Sequence, residues 1–329
     1  MPLWLSETDV RAALSMAGLI DAMESALIAF SAGRVVQPVR MTMELRERAF
    51  FALMPAYDQE HAIFGAKLVT VIPENHGTAW PSHQAIISLS DPATGELLAL
   101  MDGRYITEAR TAAVSAVSTR HLARADASVL AIIGSGVQAH SHVQALPLVR
   151  AFREIRVWSP NAAHVTQFVA QSAEQSRASA GAPVQAAGSA EEAVSGADVV
   201  VLATASVTPV IEDRWVGPGT HVIGVGACRP TQREMDPALV ARAYLVVDSR
   251  AAALQESGDI LLAMQEGRFS EGHIGGELGE VACGRRRGRV DAGEVTVFKS
   301  LGLAIEDVVA AGVVYRSALQ AGRGTQISL

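Results

Sequence analysis

Apolar and polar positions along the chain fall into two rhythms. Residues 9–33, DVRAALSMAGLIDAMESALIAFSAG, repeat apolar side chains at the three- and four-residue spacing of a helix buried on one face, and Gly33 closes the run. The preceding SETD makes Ser6 the N-cap and places Asp9 three residues on, a capping-box pattern. From residue 37 the period shortens. QPVRMTMEL, AFFALMPAY, IFGAKLVTVIP, SHQAIISLS and LLALMDG are short β-rich runs separated by turn residues such as DPATGE. The first part therefore predicts one helix followed by a largely antiparallel sheet. ITEARTAAVSAVSTRHLA comes next, a helix of small side chains with Thr107 as its expected cap.

Beyond it, strand and helix patterns alternate. Strands fit at 128–133, 154–159, 197–203, 220–226 and 243–248, which argues for parallel βαβ units. The final VTVFKSLGLAIEDVVAAGVVYRSAL reads as a connector and a long helix returning to the first part.

At the exit of the first alternating strand stands GSGVQA, Gly134-x-Gly136-x-x-Ala139. The first glycine permits a tight turn, the second lets backbone approach a pyrophosphate, and the small third residue lets helix pack on strand. A helix starting there offers N–H groups and a partial positive charge to phosphates. A strand before, a helix after and a second strand about 25 residues on make this a dinucleotide loop. That second strand ends at Ser159, Pro160 and Asn161, where NAD-binding domains carry an acid for the ribose 2′-hydroxyl. Ser and Asn can donate to a 2′-phosphate, so NADPH is the expected cofactor, with NADH possible.

Composition narrows the function classes. The chain has 329 residues, 49% hydrophobic and 19% charged, enough for a large core in about two domains. A net charge of −7 argues against nucleic acid and acidic membranes as partners. Arg285, Arg286, Arg287 and Arg289 sit between glycines and are expected to form a solvated loop. Cys228 and Cys283 give neither a disulfide framework nor zinc spacing, and no leader-like or 18-residue apolar stretch appears; a reducing, cytoplasmic location is the expectation.

Four positions invite chemistry. In FGAKLVTV one strand face carries Gly65, Lys67, Val69 and Val71. A lysine there either lines a cavity, where burial lowers its pKa toward neutrality and suits it to proton transfer, or snorkels to the sheet edge. Arg40, among hydrophobic neighbours, is either a carboxylate clamp or an exposed sheet arginine. Arg110, in the first turn of the small-residue helix, is electrostatically misplaced unless a phosphate or a substrate carboxylate lies beside it. Cys228 follows a strand at the ligand-binding edge of the expected dinucleotide sheet, as a ligand contact or as a small packed residue. His140 and His142, two apart on a helix, diverge and are expected on its surface.

Taken in order, QPVR, MPAY, KLVT, PSHQA, MDG..IT..RTAAVSA, GSGVQAHSH, VGACRP, VDS..AAL.ESGDIL, GELGEV and VTVFKSLG.A.EDVVAA resemble the ornithine cyclodeaminase/mu-crystallin family over nearly the whole chain. The resemblance implies an α/β fold. A Rossmann dinucleotide-binding domain, 119–302, is inserted into an α+β substrate-binding and dimerisation domain, 1–118 plus 303–329, and the protein is a homodimer. It implies Lys67 as proton carrier, with Arg40, Lys67, Ser82, Arg110 and Cys228 around the substrate. Around the cofactor it implies Arg110, Thr111, Gly134, Gly136, Val137, Gln138, Ser159, Asn161, Thr204 and Ser300. The family's cyclodeaminases carry Asp where Cys228 stands and a functional Glu near Met54; this chain has neither and sides with the ketimine reductases. The expected activity is NAD(P)H-dependent reduction of 1-pyrroline-2-carboxylate or 1-piperideine-2-carboxylate to L-proline or L-pipecolate. Alternatives are ornithine cyclodeamination, alanine or N-alkyl amino-acid dehydrogenation, and non-catalytic NADPH and ligand binding.

Overall fold

The computed structural model describes residues 1–47, 49–179 and 182–328, with the backbone alone at 174–179. A short strand, β1 (Leu3–Leu5), precedes helix α1 (Glu7–Ala13). The capping box forms as its residues dictate: the Asp9 N–H donates to Ser6 Oγ, and the Ser6 N–H donates back to Asp9 Oδ2 at 3.0 Å. The apolar repeat of 9–33 is two helices rather than the one expected. Leu14 and Ser15 are extended between α1 and α2 (Met16–Ser31), and the two axes differ by 87°. Apolar spacing continues on both sides of the break, so periodicity does not register it.

Strands β2 (Val35–Val36), β3 (Met41–Arg46), β4 (Ala49–Asp58), β5 (Ile63–Val71), β6 (His83–Ser90) and β7 (Leu97–Asp102) follow, then helix α3 (Arg104–Leu122). Helix α3 begins before Thr107, its expected cap. Asp102 Oδ1 accepts the Arg104 N–H at 3.0 Å and so caps the end, while Thr107 Oγ1 donates to the Gly103 carbonyl from inside the first turn. Alternation then runs β8 (Val129–Ile133), α4 (Val137–Ala145), β9 (Glu154–Trp158), α5 (Ala162–Ser179), β10 (Val184–Ala186), α6 (Ala190–Val194), β11 (Val199–Leu202), β12 (His221–Gly224), α7 (Pro237–Arg242), β13 (Tyr244–Val247), α8 (Arg250–Glu256), α9 (Gly258–Gln265), β14 (Ile274–Glu277), α10 (Leu278–Ala282) and β15 (Thr296–Lys299). The chain closes with the expected long helix, α11 (Ala304–Ala321), and β16 (Thr325–Gln326).

The chain divides into two compact units, residues 1–110 with 302–329 and residues 111–301. In the first, the described strands run β16-β1-β7-β6-β5-β4-β2, with β3 also on β4; pairing is antiparallel except between β1 and β7. Helix α11 packs on α2, β4 and β5. Strand β5 alternates accordingly: Gly65, Lys67 and Val69 are buried, while Phe64 and Leu68 are exposed.

In the second unit the described strands run β10-β9-β8-β11-β12-β15-β13-β14, all parallel. The order reverses between β8 and β11, which is where doubly wound sheets open a crevice for ligands. The stretch expected to be a connector contains β15, a strand inside the sheet between β12 and β13. Its four residues are all buried, so they show no alternation from which a strand can be read.

Candidate active site

In the first unit, three sequence-derived candidates come together. Lys67 on β5 is 2% exposed, and its Nζ lies 2.5 Å from Asp307 Oδ2 in the first turn of α11. Arg110 on α3 is equally enclosed: its Nε donates to Asp307 Oδ1 at 3.0 Å and its Nη1 to Glu306 Oε2 at 2.7 Å. Arg40, between β2 and β3, donates from Nη2 to the Gly302 carbonyl at 3.2 Å. Gly302 adopts φ +85°, and a Cβ there would meet Arg110 Nη1 at 2.6 Å. Both the backbone conformation and the close guanidinium therefore require glycine.

The anion expected beside Arg110 is thus supplied by the protein itself, as Glu306 and Asp307. The reasoning from the helix dipole also needs correcting, because α3 starts at Arg104 and places Arg110 in its second turn. Neither acid was singled out from sequence. The available signal was an adjacent pair of carboxylates inside an apolar helical run, AIEDVVAAGVV.

Burial pulls Lys67 down from its ordinary value to about 8; Asp307 opposes the shift, and Arg110 and Arg40 add to it. Burial would raise Asp307, but Arg110 and Lys67 outweigh it and hold the carboxyl below the ordinary range. His83, the first residue of β6, pairs with Val71 and so shares the Lys67 face. Burial, with Lys67 next, lowers its imidazole to about 4. Sequence reasoning chose the neighbouring Ser82, which stands just outside β6, half-buried, with its carbonyl accepting the Ile72 N–H. The cluster is a dry, cation-rich site holding an amine that titrates near neutrality. It is suited to a small carboxylate and to moving one proton.

The second unit carries the nucleotide candidates. Gly134 ends β8 at φ +123°, and a Cβ would lie 2.4 Å from the Ala203 carbonyl oxygen, so this turn admits only glycine. Gly136 is the exposed N-cap of α4 and gives it no side-chain cap; a Cβ there would meet nothing within 4 Å. The N–H groups beyond it, on Val137 and Gln138, begin the helix, so the cradle a Cβ would enter is open to a pyrophosphate. Ser159 and Asn161 follow β9, and Asn161 Oδ1 accepts the Ala163 and His164 N–H groups at 3.0 and 3.2 Å, capping α5. Trp158, Pro160, Ser189, Thr204 and Trp215 line a cavity of about 650 Å³ beside this corner, of a size for an adenosine.

Thr204 follows β11 and is fixed by Glu234, whose Oε1 accepts both its N–H (2.6 Å) and its hydroxyl (2.8 Å). Glu234 Oε2 accepts the Gly226 and Ala227 N–H groups at 2.7 and 2.9 Å, so one carboxylate ties the loops after β11 and β12. Cys228 is the next residue, half-buried. Ser300, at the end of β15, is buried and donates its N–H to the Gly224 carbonyl at 3.0 Å. Thr111, buried in α3, belongs to this unit. Glu234, Asp259 and Lys299 were all missed. Lys299 is fully buried with Nζ 3.0 Å from Asp259 Oδ2, and Asp259 Oδ1 accepts the Glu234 and Met235 N–H groups.

Two surface expectations change. His142 is buried, with Nδ1 2.7 Å from the Gln138 carbonyl and Nε2 2.8 Å from Ser115 Oγ, and burial lowers it to about 4. His140 stacks on Phe168 at 4.1 Å. In the arginine loop, Arg289 is structural: its Nε donates to the Leu122 carbonyl at 2.8 Å, and Arg287 lies 3.7 Å over the Tyr244 ring.

The parallel strand order, the glycine-led α4 at the switch point and the adjoining cavity define a Rossmann-type, dinucleotide-binding enzyme. The chain belongs to the ornithine cyclodeaminase/mu-crystallin family, whose model matches residues 2–322. It is 43% identical over 321 residues to the ketimine reductase mu-crystallin of Mus musculus, covering 96% of this chain and 97% of that one. The Thermococcus litoralis Delta(1)-pyrroline-2-carboxylate reductase, solved with NADH and L-proline, superposes with TM-score 0.95 at 38% identity over 99% of this chain and 100% of that one. An archaeal alanine dehydrogenase dimer with bound NAD gives TM-score 0.93 at 32% identity over 99% of both chains.

Proposed function

We propose that the protein reduces cyclic ketimine acids, 1-pyrroline-2-carboxylate and 1-piperideine-2-carboxylate, to L-proline and L-pipecolate. The observation that carries this reading is the buried Lys67 amine between a carboxylate and two guanidiniums, with an affinity for protons set near neutrality. Two of the three similar proteins, the mouse ketimine reductase and the Thermococcus litoralis pyrroline-2-carboxylate reductase, act on imines and support the same reaction class. Cys228, in place of the acid of cyclodeaminases, supports reduction over ammonia release.

Arg40 and Arg110 hold the substrate carboxylate, which suits planar guanidiniums in a dry site. Lys67, as the ammonium, holds a proton at the imine nitrogen, because the iminium is the better hydride acceptor. When bound, a reduced nicotinamide dinucleotide supplies the hydride to the imine carbon. In the chain, Gly134, Gly136, Val137 and Gln138 would hold its pyrophosphate, and Thr204 and Ser300 sit on loops at the carboxyl ends of the strands. Ser159 and Asn161, without an acid beside them, support NADPH as the preferred cofactor with NADH usable. Phe64, Leu68 and Ile86, each at least 40% exposed on the open side of β5 and β6, support a homodimer.

The test is oxidation of NADPH and NADH by purified protein with a panel of cyclic imine acids, pyruvate with amines, and L-ornithine. Turnover is expected with the cyclic imines. Turnover confined to pyruvate with ammonia, or ammonia release from ornithine, would overturn the assignment.

A further inference from the structure

Lys67 and Arg110 belong to different elements, β5 and α3, and their placement relative to each other is set by a third, α11. Asp307 does this with both oxygens: Oδ2 lies 2.5 Å from Lys67 Nζ, and Oδ1 accepts from Arg110 Nε at 3.0 Å. Its carboxylate is fully buried and lies on the face of α11 that packs on β4 and β5. Glu306 beside it engages Arg110 at 2.7 Å through Nη1. The two acids thus divide their work, one bridging amine and guanidinium, the other steering the guanidinium.

We infer that Asp307 is the positioning residue of this site, holding the Lys67 amine at a fixed separation from the Arg110 guanidinium and keeping it protonated for the imine. The inference rests on the imine-reductase reading. Two consequences follow from the geometry. Asp307 is an anion in contact with the ammonium, so its removal must weaken the hold of Lys67 on its proton. The groups that face Lys67 or its immediate neighbours are Asp307 and Glu306 from α11, Arg110 from α3, Arg40 from the segment before β3 and His83 from β6. Apart from the two α11 acids, these are cations or a neutral imidazole, so among these described neighbours of Lys67 no anion outside α11 replaces the lost charge. Asp307 also fixes Lys67 sterically, so displacing the carboxylate without removing its charge must disturb the chemistry and spare the nucleotide.

The sequence supplies a probe. Lys67 and Lys299 are the only lysines, so full-length protein labelled with ε-13C-lysine gives two Cε signals, assigned by the loss of one in Lys67→Met. In wild type, the Lys67 signal is expected to titrate at about 8. In Asp307→Asn the midpoint should fall by roughly 1–3 units, the range for losing an adjacent opposite charge, while Lys299 does not move. The falling limb of kcat/KM for imine reduction should shift to lower pH by the same amount. Glu306→Gln should leave the Lys67 midpoint in place and raise the imine KM. An unshifted Lys67 midpoint in folded Asp307→Asn, or an equal shift in Glu306→Gln, would overturn the inference.

If Asp307→Asn fails to fold, Asp307→Glu decides. With the charge kept and displaced by one methylene, the Lys67 midpoint should stay close to wild type, and kcat should fall at least tenfold with nucleotide KM unchanged. Wild-type kcat in that variant would equally overturn the positioning role. Failure of wild type to reduce any cyclic imine would instead break the reading of the reaction, and the Lys67 titration would still decide what Asp307 does to the amine.

Discussion

Lys67 and Lys299 make a natural experiment inside one chain. Twenty-five other cationic side chains are arginine; these two are lysine, and both are buried against a single aspartate, at 2.5 and 3.0 Å. Yet they are pushed in opposite directions. Burial lowers Lys67 to about 8, and the arginines around it, Arg110 and Arg40, add to the fall against Asp307. Burial would lower Lys299 too, but Asp259 and Glu234 outweigh it and raise the amine above its ordinary value. Desolvation is common to both, so the sign of the wider surroundings decides. A lysine among arginines becomes a group that gives up its proton near neutrality; a lysine among carboxylates becomes a permanent charge holding loops in place.

The sharpest way to break this contrast is to remove each amine in turn. Lys67→Met should lower kcat by roughly 10²–10⁴, the range for a lost general acid, while the nucleotide still binds. Wild-type activity should decline as pH rises through about 8, as the ammonium is lost. Lys67→Arg keeps a charge that does not titrate in this range, so kcat should stay low; near-wild-type kcat there would end the proton-transfer role.

Lys299→Met should show the reverse, a loss of stability. It leaves Asp259 as an unpaired buried charge, a defect of about 3–5 kcal/mol, read as a drop in denaturation midpoint with bound nucleotide unable to restore it fully. The pH dependence also separates the two lysines. The folded Lys67 binds its proton less tightly than the unfolded chain does, so its contribution destabilises below pH about 8 and is relieved as pH rises toward 10.5. Lys299 has a raised value, so its stabilisation is complete below 10.5 and is lost only as pH rises beyond that. Denaturant titrations of wild type and Lys299→Met between neutral and alkaline pH check both signs.

Smaller effects should respect the same division of labour. Arg40→Met should lose about 1.5–3 kcal/mol of transition-state binding, the worth of a charged hydrogen bond, seen in kcat/KM for the imine with nucleotide affinity unchanged. Ser159→Asp should act on the other side alone, weakening NADPH relative to NADH by repulsion of the 2′-phosphate; imine KM at saturating NADH should not move, and a wild type that prefers NADH would defeat the cofactor reading. Cys228→Ser should change least, within about threefold in kcat given a near-isosteric swap outside the Lys67 cluster. Abolished turnover in folded protein would give the thiol a chemical role.

Much of the frame was legible along the chain. The period-2 runs and the later strand–helix alternation predicted the antiparallel and parallel sheets, because burial on one face imprints a period on the sequence. The glycine loop was legible because φ +123° at Gly134 and its approach to Ala203 are demands only glycine meets. Lys67 was legible because a charge on an apolar strand face breaks a pattern. What was missed had no local signature. The break at Leu14 and Ser15 interrupts helix geometry without interrupting apolar spacing, and β15 lies wholly in the core, where a strand loses its alternation.

The same division runs through the site. Residue types and their spacing determined that the chain would carry a dinucleotide loop, an out-of-place lysine and two arginines among apolar neighbours. Only the tertiary structure decided which acid meets which base. Asp307 lies far along the chain from Lys67 and Arg110 but within hydrogen-bonding distance of both, and Asp259 and Glu234 surround Lys299 in the same long-range way. A side chain's proton affinity depends on the charges within a few ångströms of it in space, whatever their separation in sequence. For that reason the sequence singled out Lys67 alone, and only the folded chain made it an acid and Lys299 a brace.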